Sequence, residues 1–154
     1  AMAAGLTIDT AMVDRLADWL DERLAGDIAR ATAEKSLLVD ALLTPRGLQP
    51  AFIEAMDGAG PYGTGWPGPR IVTGPVRIIK CDIVGKDHVR AIVSGDDGAS
   101  FKAMAFRQGE TELGQRLLHG ERGQKYMLAG RAKVDDWGSV PKAELHIDDI
   151  ALAN

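Results

Sequence analysis

Gly58-Ala-Gly-Pro-Tyr-Gly-Thr-Gly-Trp-Pro-Gly-Pro69 separates a mostly helical part of the chain from a part that reads as short strands. Eight of these twelve residues are Gly or Pro, so neither a helix nor a central strand can run through the segment. Tyr62 and Trp66 would be out of place in a flexible linker. We therefore expect a loop in which both aromatic side chains are mostly buried and pin the two parts together. The GxGxxG match at Gly58–Gly63 follows a helical pattern and runs into prolines, which is the wrong context for a dinucleotide site.

After this segment the apolar period changes from 3.6 to 2. The pattern predicts strands over 75–84, 88–94, 101–106, 125–134 and 143–150, with a helix over 110–119 after the third strand. In the first strand Ile79, Cys81 and Ile83 are expected to share one face. Three strands, a helix and two more strands is the order of a five-stranded OB barrel. The predicted fold is therefore α+β: a five-stranded OB-fold β-barrel preceded by a small, mostly helical segment.

The first part of the chain predicts one long helix, capped by Asp9 or Thr10. Its apolar stripe has few partners in the sequence, so we expect it to pack on preceding sequence or on a second copy of the chain. The stripe consists of Val13, Leu16, Leu20 and Leu24, with Trp19 beside it. A strand over 37–43 and a helix from Pro50 to Asp57 should follow.

The composition is that of a soluble globular protein, 45% hydrophobic and 26% charged. No apolar run reaches the length of a membrane span, and no signal peptide pattern is present. A lone Cys81 cannot form an internal disulfide, so a cytoplasmic location is the simplest interpretation. Charge is uneven: residues 75–134 carry 11 Lys and Arg against 7 Asp and Glu, although the whole chain has a net charge of −4. A locally basic barrel favours contact with phosphate groups, and ordinary surface charge is the alternative.

Strand alternation places one set of side chains on the outside of the barrel. Basic residues interleaved with aromatic residues are how OB folds bind single strands. Phe106 and Trp137 are the two candidate stacking platforms, and the alternative is a solvated barrel wall. The candidate nucleic-acid-binding residues are Lys80, His88, Arg90, Lys102, Phe106, Arg131, Lys133 and Trp137, with Met104 among them on the outer face.

No catalytic centre is expected in this chain. His88, His119 and His146 are far apart and form no metal-binding motif. The adjacent acidic pairs at 135–136 and 148–149 would be split to opposite sides of a strand or turn.

Several segments resemble the RecJ-type exonucleases, which are specific for single-stranded DNA. Gly60–Pro69 resembles their PFGxGNPxP segment, with Tyr62 in place of Phe and Trp66 in place of Asn. In that family the segment joins the DHH-associated domain to an OB-fold domain. The stretches at 84–90, 103–106 and 129–137 also resemble the OB domain, and residues 1–6 resemble the end of the DHH-associated domain.

The resemblance implies three parts: residues 1–35 as the tail of the DHH-associated domain with one long helix, 36–74 as strand, short helix and junction, and 75–154 as the barrel. It also implies that the parent enzyme hydrolyses single-stranded DNA 5′ to 3′ in DNA repair and recombination. Its Mg or Mn ions would be held by DHH motifs upstream, none of which can be carried onto this sequence.

The chain itself is therefore expected to be non-catalytic and to hold no cofactor. The expected partners are single-stranded DNA, bound weakly and without sequence preference, and the upstream DHH and DHH-associated domains. Self-association through the exposed helix face is also expected. Binding to a membrane is not expected. The competing interpretation is a structural or protein-interaction module that braces the nuclease domains without contacting DNA.

Overall fold

The computed structural model describes residues 5–33, 36–121 and 123–153. It divides into two compact units, Ala1–Leu37 and Leu38–Asn154. The attribution of the first residues to a DHH-associated domain stays a prediction.

The first unit is a 3₁₀ turn, Thr10–Met12, that leads into helix α1, Val13–Ala33. Asp9 caps the turn, because its carboxylate accepts a hydrogen bond from the Ala11 N–H at 3.0 Å. This confirms the predicted helix and its start. The apolar stripe is exposed in places, with Leu24 at 40% and Trp19 at 56%. That this stripe packs on preceding sequence or on a second copy of the chain stays a prediction.

The second unit is a six-stranded sheet with two helices. Its elements are β1 (Ala41–Leu43), a 3₁₀ turn (Pro45–Gly47), α2 (Pro50–Asp57), β2 (Ile71–Val84), β3 (His88–Gly95), β4 (Ser100–Ala105), α3 (Glu112–Leu118), β5 (Tyr126–Asp135) and β6 (Lys142–Leu152). Neighbours follow the order β1-β2-β3-β4-β6-β5, and β2 also pairs with β5. That last pairing closes β2 to β6 into a barrel, so the predicted α+β OB fold is confirmed.

β2 pairs with different strands along its length. Its first residues, Ile71–Thr73, pair with β1 on one side and with β5 on the other, whereas Val76–Val84 pairs with β3. Across Gly74 and Pro75 the partner on one side changes from β1 to β3, while pairing with β5 continues at Val76 after a shift of register. Pro75 has no N–H to offer a ladder, and a Cβ on Gly74 would lie 2.7 Å from the Tyr126 carbonyl oxygen.

A bulge in β2 corrects one sequence prediction. The register with β3 shifts between Ile78 and Lys80, so Ile79 has no partner and is 64% exposed. Ile79 therefore does not share a buried face with Cys81, which pairs with Ala91 and packs against the core. Ile83 lies at the end of the hairpin and is 53% exposed.

The predicted strand over 37–43 is shorter than expected. Only Ala41–Leu43 is strand, and it runs parallel to Ile71–Thr73. The pairing stops at Asp40, whose carboxylate accepts a hydrogen bond from the Arg70 N–H at 2.8 Å. A side chain therefore takes the donor that would have continued the ladder.

The core lies inside the barrel and follows the predicted alternation. Val89, Ala91 and Val93 of β3 are fully buried, and Leu145 of β6 belongs to the same core cluster and is also fully buried. Met104 lies in the outward row as predicted, although it is only 9% exposed. Its cross-strand neighbours are Arg90 and His146.

The Gly/Pro loop is fastened to α2 by Tyr62. The Tyr62 hydroxyl donates a hydrogen bond to the Met56 carbonyl oxygen. The rings of Tyr62 and Trp66 meet edge-to-face, with their centroids 5.7 Å apart. The expected burial of Trp66 is wrong, because this side chain is 60% exposed. Paired backbone hydrogen bonds between Gly63 and Trp66 turn the chain back, which leaves the indole on the outside of Tyr62. A role of the pair in packing between domains stays a prediction.

Within the described ranges, no helix combines the length and the apolarity that a membrane crossing requires.

The close approach of β5 to β6 at Gly130 leads to a prediction. A Cβ on Gly130 would lie 2.0 Å from the His146 carbonyl oxygen, so Gly130→Ala should lower the free energy of unfolding by about 1–3 kcal/mol or more. Urea unfolding measures this change. Gly65→Ala is the matched control, because its Cβ would meet nothing within 4 Å. Equal stability of the two variants would contradict the described register.

Candidate nucleic-acid interface

The outward side chains of the barrel strands form two neighbouring rows, which we call the outer wall. Each row crosses all five strands, from β2 through β3, β4 and β6 to β5. The first row is Lys80, Ile92, Lys102, Glu144 and Lys133, and the second is Asp82, Arg90, Met104, His146 and Arg131. The structure thus brings together the five Lys and Arg residues that alternation places outside.

Carboxylates pair with three of these five cations. Arg90 donates to Asp82 at 3.1 Å through Nε, and Arg131 lies 3.6 Å from Asp148. Lys102 is held by two carboxylates, with its Nζ 2.6 Å from Asp135 Oδ2 and 2.5 Å from Glu144 Oε2. Among the described residues, Lys80 and Lys133 form no ion pair.

The contacts of Arg90 and Lys102 shift the pKa values of the groups that they join. The hydrogen bond from Arg90 holds the pKa of the Asp82 carboxyl below its ordinary value. The hydrogen bond from Lys102 does the same to the pKa of Asp135, and Lys102 in turn has a raised pKa, first because of Asp135 and then because of Glu144. At neutral pH the outer wall therefore carries interleaved charges of both signs rather than a uniform basic surface.

An aromatic cluster lies at one end of β4. Phe106 directly follows the strand and is 44% exposed. It meets the His88 ring at a centroid distance of 5.3 Å and the His146 ring at 4.8 Å, both edge-to-face. His146 also lies 2.8 Å from Glu144 through Nε2. Sequence reasoning selected Phe106 and His88 but missed His146, although the inward Leu145 and Ile147 on either side of it predict that it points outward.

Trp137 lies at the opposite end of β4 from this cluster. It follows Asp135 in the loop between β5 and β6, and its side chain is 98% exposed. Beside this loop a groove of about 630 Å³ opens between the chain near Pro50 and Pro141, with Lys102 in its wall. The two predicted platforms are therefore separate, and no aromatic contact joins them in the described part of the chain.

Two other features bear on chemistry. Across residues 5–33, 36–121 and 123–153, no group of three or more His, Cys, Asp or Glu side chains is placed to hold a metal ion. Burial, together with the neighbouring Asp82, raises the pKa of the Cys81 thiol to about 11. The thiol is therefore protonated at neutral pH and packs as a small apolar group.

A closed barrel of five strands, with a helix between the third and the fourth, defines an OB-fold protein. Its sequence matches the RecJ OB domain family over residues 39–149. Since this match covers most of the 154 residues, the chain belongs to the RecJ OB domain family. The resemblance seen in the sequence is thereby confirmed for the barrel.

Among solved structures, the chain is similar to one described as the crystal structure of the S. pombe Stn1-ten1 complex, with 18% sequence identity and a TM-score of 0.43. The similarity covers 55% of this chain and 57% of that chain, so the chain spans little more than half the length of this relative. A comparison with curated proteins found no match.

The Asp82–Arg90 pair predicts a specific pH dependence. Because the folded-state pKa of Asp82 is lowered, ionised Asp82 stabilises the fold above its unfolded-state pKa, and this contribution is lost as the pH falls through the folded-state pKa. Carbon NMR of the carboxyl group should give a pKa below 3.8 in the wild type and a value closer to 3.8 in Arg90→Ala. An identical pKa in both proteins would contradict the pairing.

Proposed function

We propose that this chain is the C-terminal part of a RecJ-type 5′–3′ exonuclease and that its barrel binds and guides the single-stranded DNA substrate. The observation that carries the proposal is the outer wall, where five Lys and Arg residues and an exposed aromatic cluster lie on the outer surface of a RecJ OB domain. The strands of an OB barrel that correspond to β3 and β4 are the ones whose face binds oligonucleotides.

Phosphates can be bound in two ways on this wall. Lys80 and Lys133 are free to meet a phosphate directly. Arg90, Lys102 and Arg131 must exchange a carboxylate for a phosphate, and the released carboxylate then repels the strand. The exchange gains little free energy, so the binding we propose is weak. It is also independent of sequence, because phosphate contacts carry no sequence information.

The hydrolysis itself is assigned to residues outside this chain. In the proposed parent enzyme the Mg or Mn ions are held by the upstream DHH domain, and the barrel supplies only a path for the strand. The DHH and DHH-associated domains are then the protein partners of this chain. In this proposal the purified chain alone cleaves no DNA.

Binding to a labelled single-stranded oligonucleotide across a salt series tests the proposal. If about three phosphates are contacted, the slope of log K against log salt concentration should be near −2, at ~0.7 for each phosphate on a single strand. Replacing both Lys80 and Lys133 by Ala should make this slope shallower by about 1.4. Arg23→Ala in α1 is the control and should leave it unchanged. No binding even at low salt would overturn the proposal.

The second candidate function is a module that braces the nuclease domains or binds a protein without touching DNA. The observation in its favour is that Arg90, Lys102 and Arg131 are already neutralised by carboxylates. A nearly fully exposed Trp137 is equally suited to a protein contact.

Removing a carboxylate distinguishes the two candidates. Glu144→Gln preserves the shape of the side chain and frees Lys102 from one of its partners. If DNA lies on the outer wall, this variant should bind the oligonucleotide several-fold more tightly at low salt, because one repelling charge is lost. Glu54→Gln on α2, outside the wall, is the matched control. An unchanged affinity in Glu144→Gln would favour the bracing module.

A further inference from the structure

We propose that His88, Phe106 and His146 form a shelf that stacks one unpaired nucleobase of the bound strand. This inference rests on the proposed function and adds to it the place where a base, rather than a phosphate, is held. It also adds His146, which the sequence pattern did not select.

The ring geometry leaves Phe106 both fixed and accessible. His88 and His146 meet the Phe106 ring edge-to-face, with interplanar angles of 67° and 73°. Such contacts restrain the ring, and 44% of Phe106 stays exposed. A restrained aromatic surface loses little conformational entropy when a base stacks on it.

The backbone beside the shelf is strained. Arg107 has a φ of 57°, and it is the only residue other than Gly with a positive φ in the described part of the chain. Its N–H donates to His88 Nδ1 at 3.0 Å, and the N–H groups of Gln108 and Gly109 donate to the Asp87 carbonyl oxygen at 2.9 and 3.2 Å. The turn after β4 is thus tied to the turn before β3. Strain of this kind persists where surrounding structure enforces it and collects at functional sites.

The charges beside the shelf fit a nucleotide. Arg131 is the cross-strand neighbour of His146, and its side chain is 44% exposed. Arg90 lies on the far side, two residues after His88, and Met104 and His146 stand between the two arginines in the second row of the outer wall. A base on the shelf therefore has cations on both sides for the phosphates that flank it. Bases inside a duplex are already stacked on each other, so the shelf suits an unpaired strand.

Two oligonucleotides separate base stacking from phosphate contact. Fluorescence anisotropy should be measured with a labelled oligothymidine and with an abasic strand that has the same number of phosphates. The wild-type chain should bind the oligothymidine about tenfold more tightly, the size expected for one stacked base. Phe106→Ala should bind both strands with the weaker affinity and the same salt slope as the wild type, because no phosphate contact is lost. Phe106→Trp should keep the preference.

Matched variants guard against loss of folding. Phe106→Leu keeps apolar volume without a ring and should lose the preference as Phe106→Ala does. Trp66→Ala removes a similarly exposed aromatic side chain outside the outer wall and should keep the preference. Circular dichroism establishes that each variant is folded.

The outcomes distinguish this inference from the proposed function. If the wild-type chain binds neither strand, the proposed function fails and the shelf fails with it. If it binds both strands equally, or if folded Phe106→Ala keeps the preference for oligothymidine, the shelf is wrong while phosphate contact by the outer wall stands.

Discussion

The fold depends on β2 serving two parts of the barrel at once. Its first residues pair with β5 and its later ones with β3, so the same strand both starts the sheet and closes it. Between these stretches Gly74 lets β2 approach β5 closely, since a Cβ there would lie 2.7 Å from the Tyr126 carbonyl oxygen, and Pro75 has no N–H to offer a ladder. Closure has a consequence for function, because it removes free edges between β2 and β5 and fixes the register that aligns the outer wall across all five strands.

That register explains why the wall is only moderately basic. Within the rows Arg90 stands beside Asp82 and Lys102 beside Glu144, so each of these two cations meets a carboxylate on a neighbouring strand. Such pairs gain little in water, yet they keep the surface from attracting every polyanion. A barrel that guides a substrate toward a separate catalytic domain needs a strand that can move, and weak phosphate contact with one base shelf would suit that task.

Much of the fold could be predicted from the sequence because alternation is strong in β3 and β4, where Val89, Ala91 and Val93 leave one possible inner face. The bulge at Ile79 could not, because Ile78 and Ile79 are both apolar and only the pairing partner decides which one faces inward. The exposure of Trp66 depends on the backbone hydrogen bonds between Gly63 and Trp66, and the Gly-rich sequence around them does not predict that pairing.

The candidate site divides in the same way. Strand alternation in the sequence predicted that the Lys and Arg residues of the site lie on the outer face. Which carboxylates they pair with depends on which strands are neighbours in the sheet. β4 lies beside β6 rather than β5, and alternation does not predict that order. The aromatic cluster draws His88, Phe106 and His146 from three different strands or their ends, so no local spacing could show it. Sequence patterns therefore predict which side chains point outward, and only the strand order predicts which of them come into contact.

Amide chemical-shift mapping with a single-stranded oligonucleotide tests the central claim most directly. The account predicts that perturbed amides cluster on β3, β4, β5 and β6 around Arg90, Lys102, Arg131 and Phe106, while those of α1 stay unperturbed. Perturbations confined to another surface, or none at millimolar oligonucleotide in low salt, would contradict the claim that the outer wall of this barrel carries DNA.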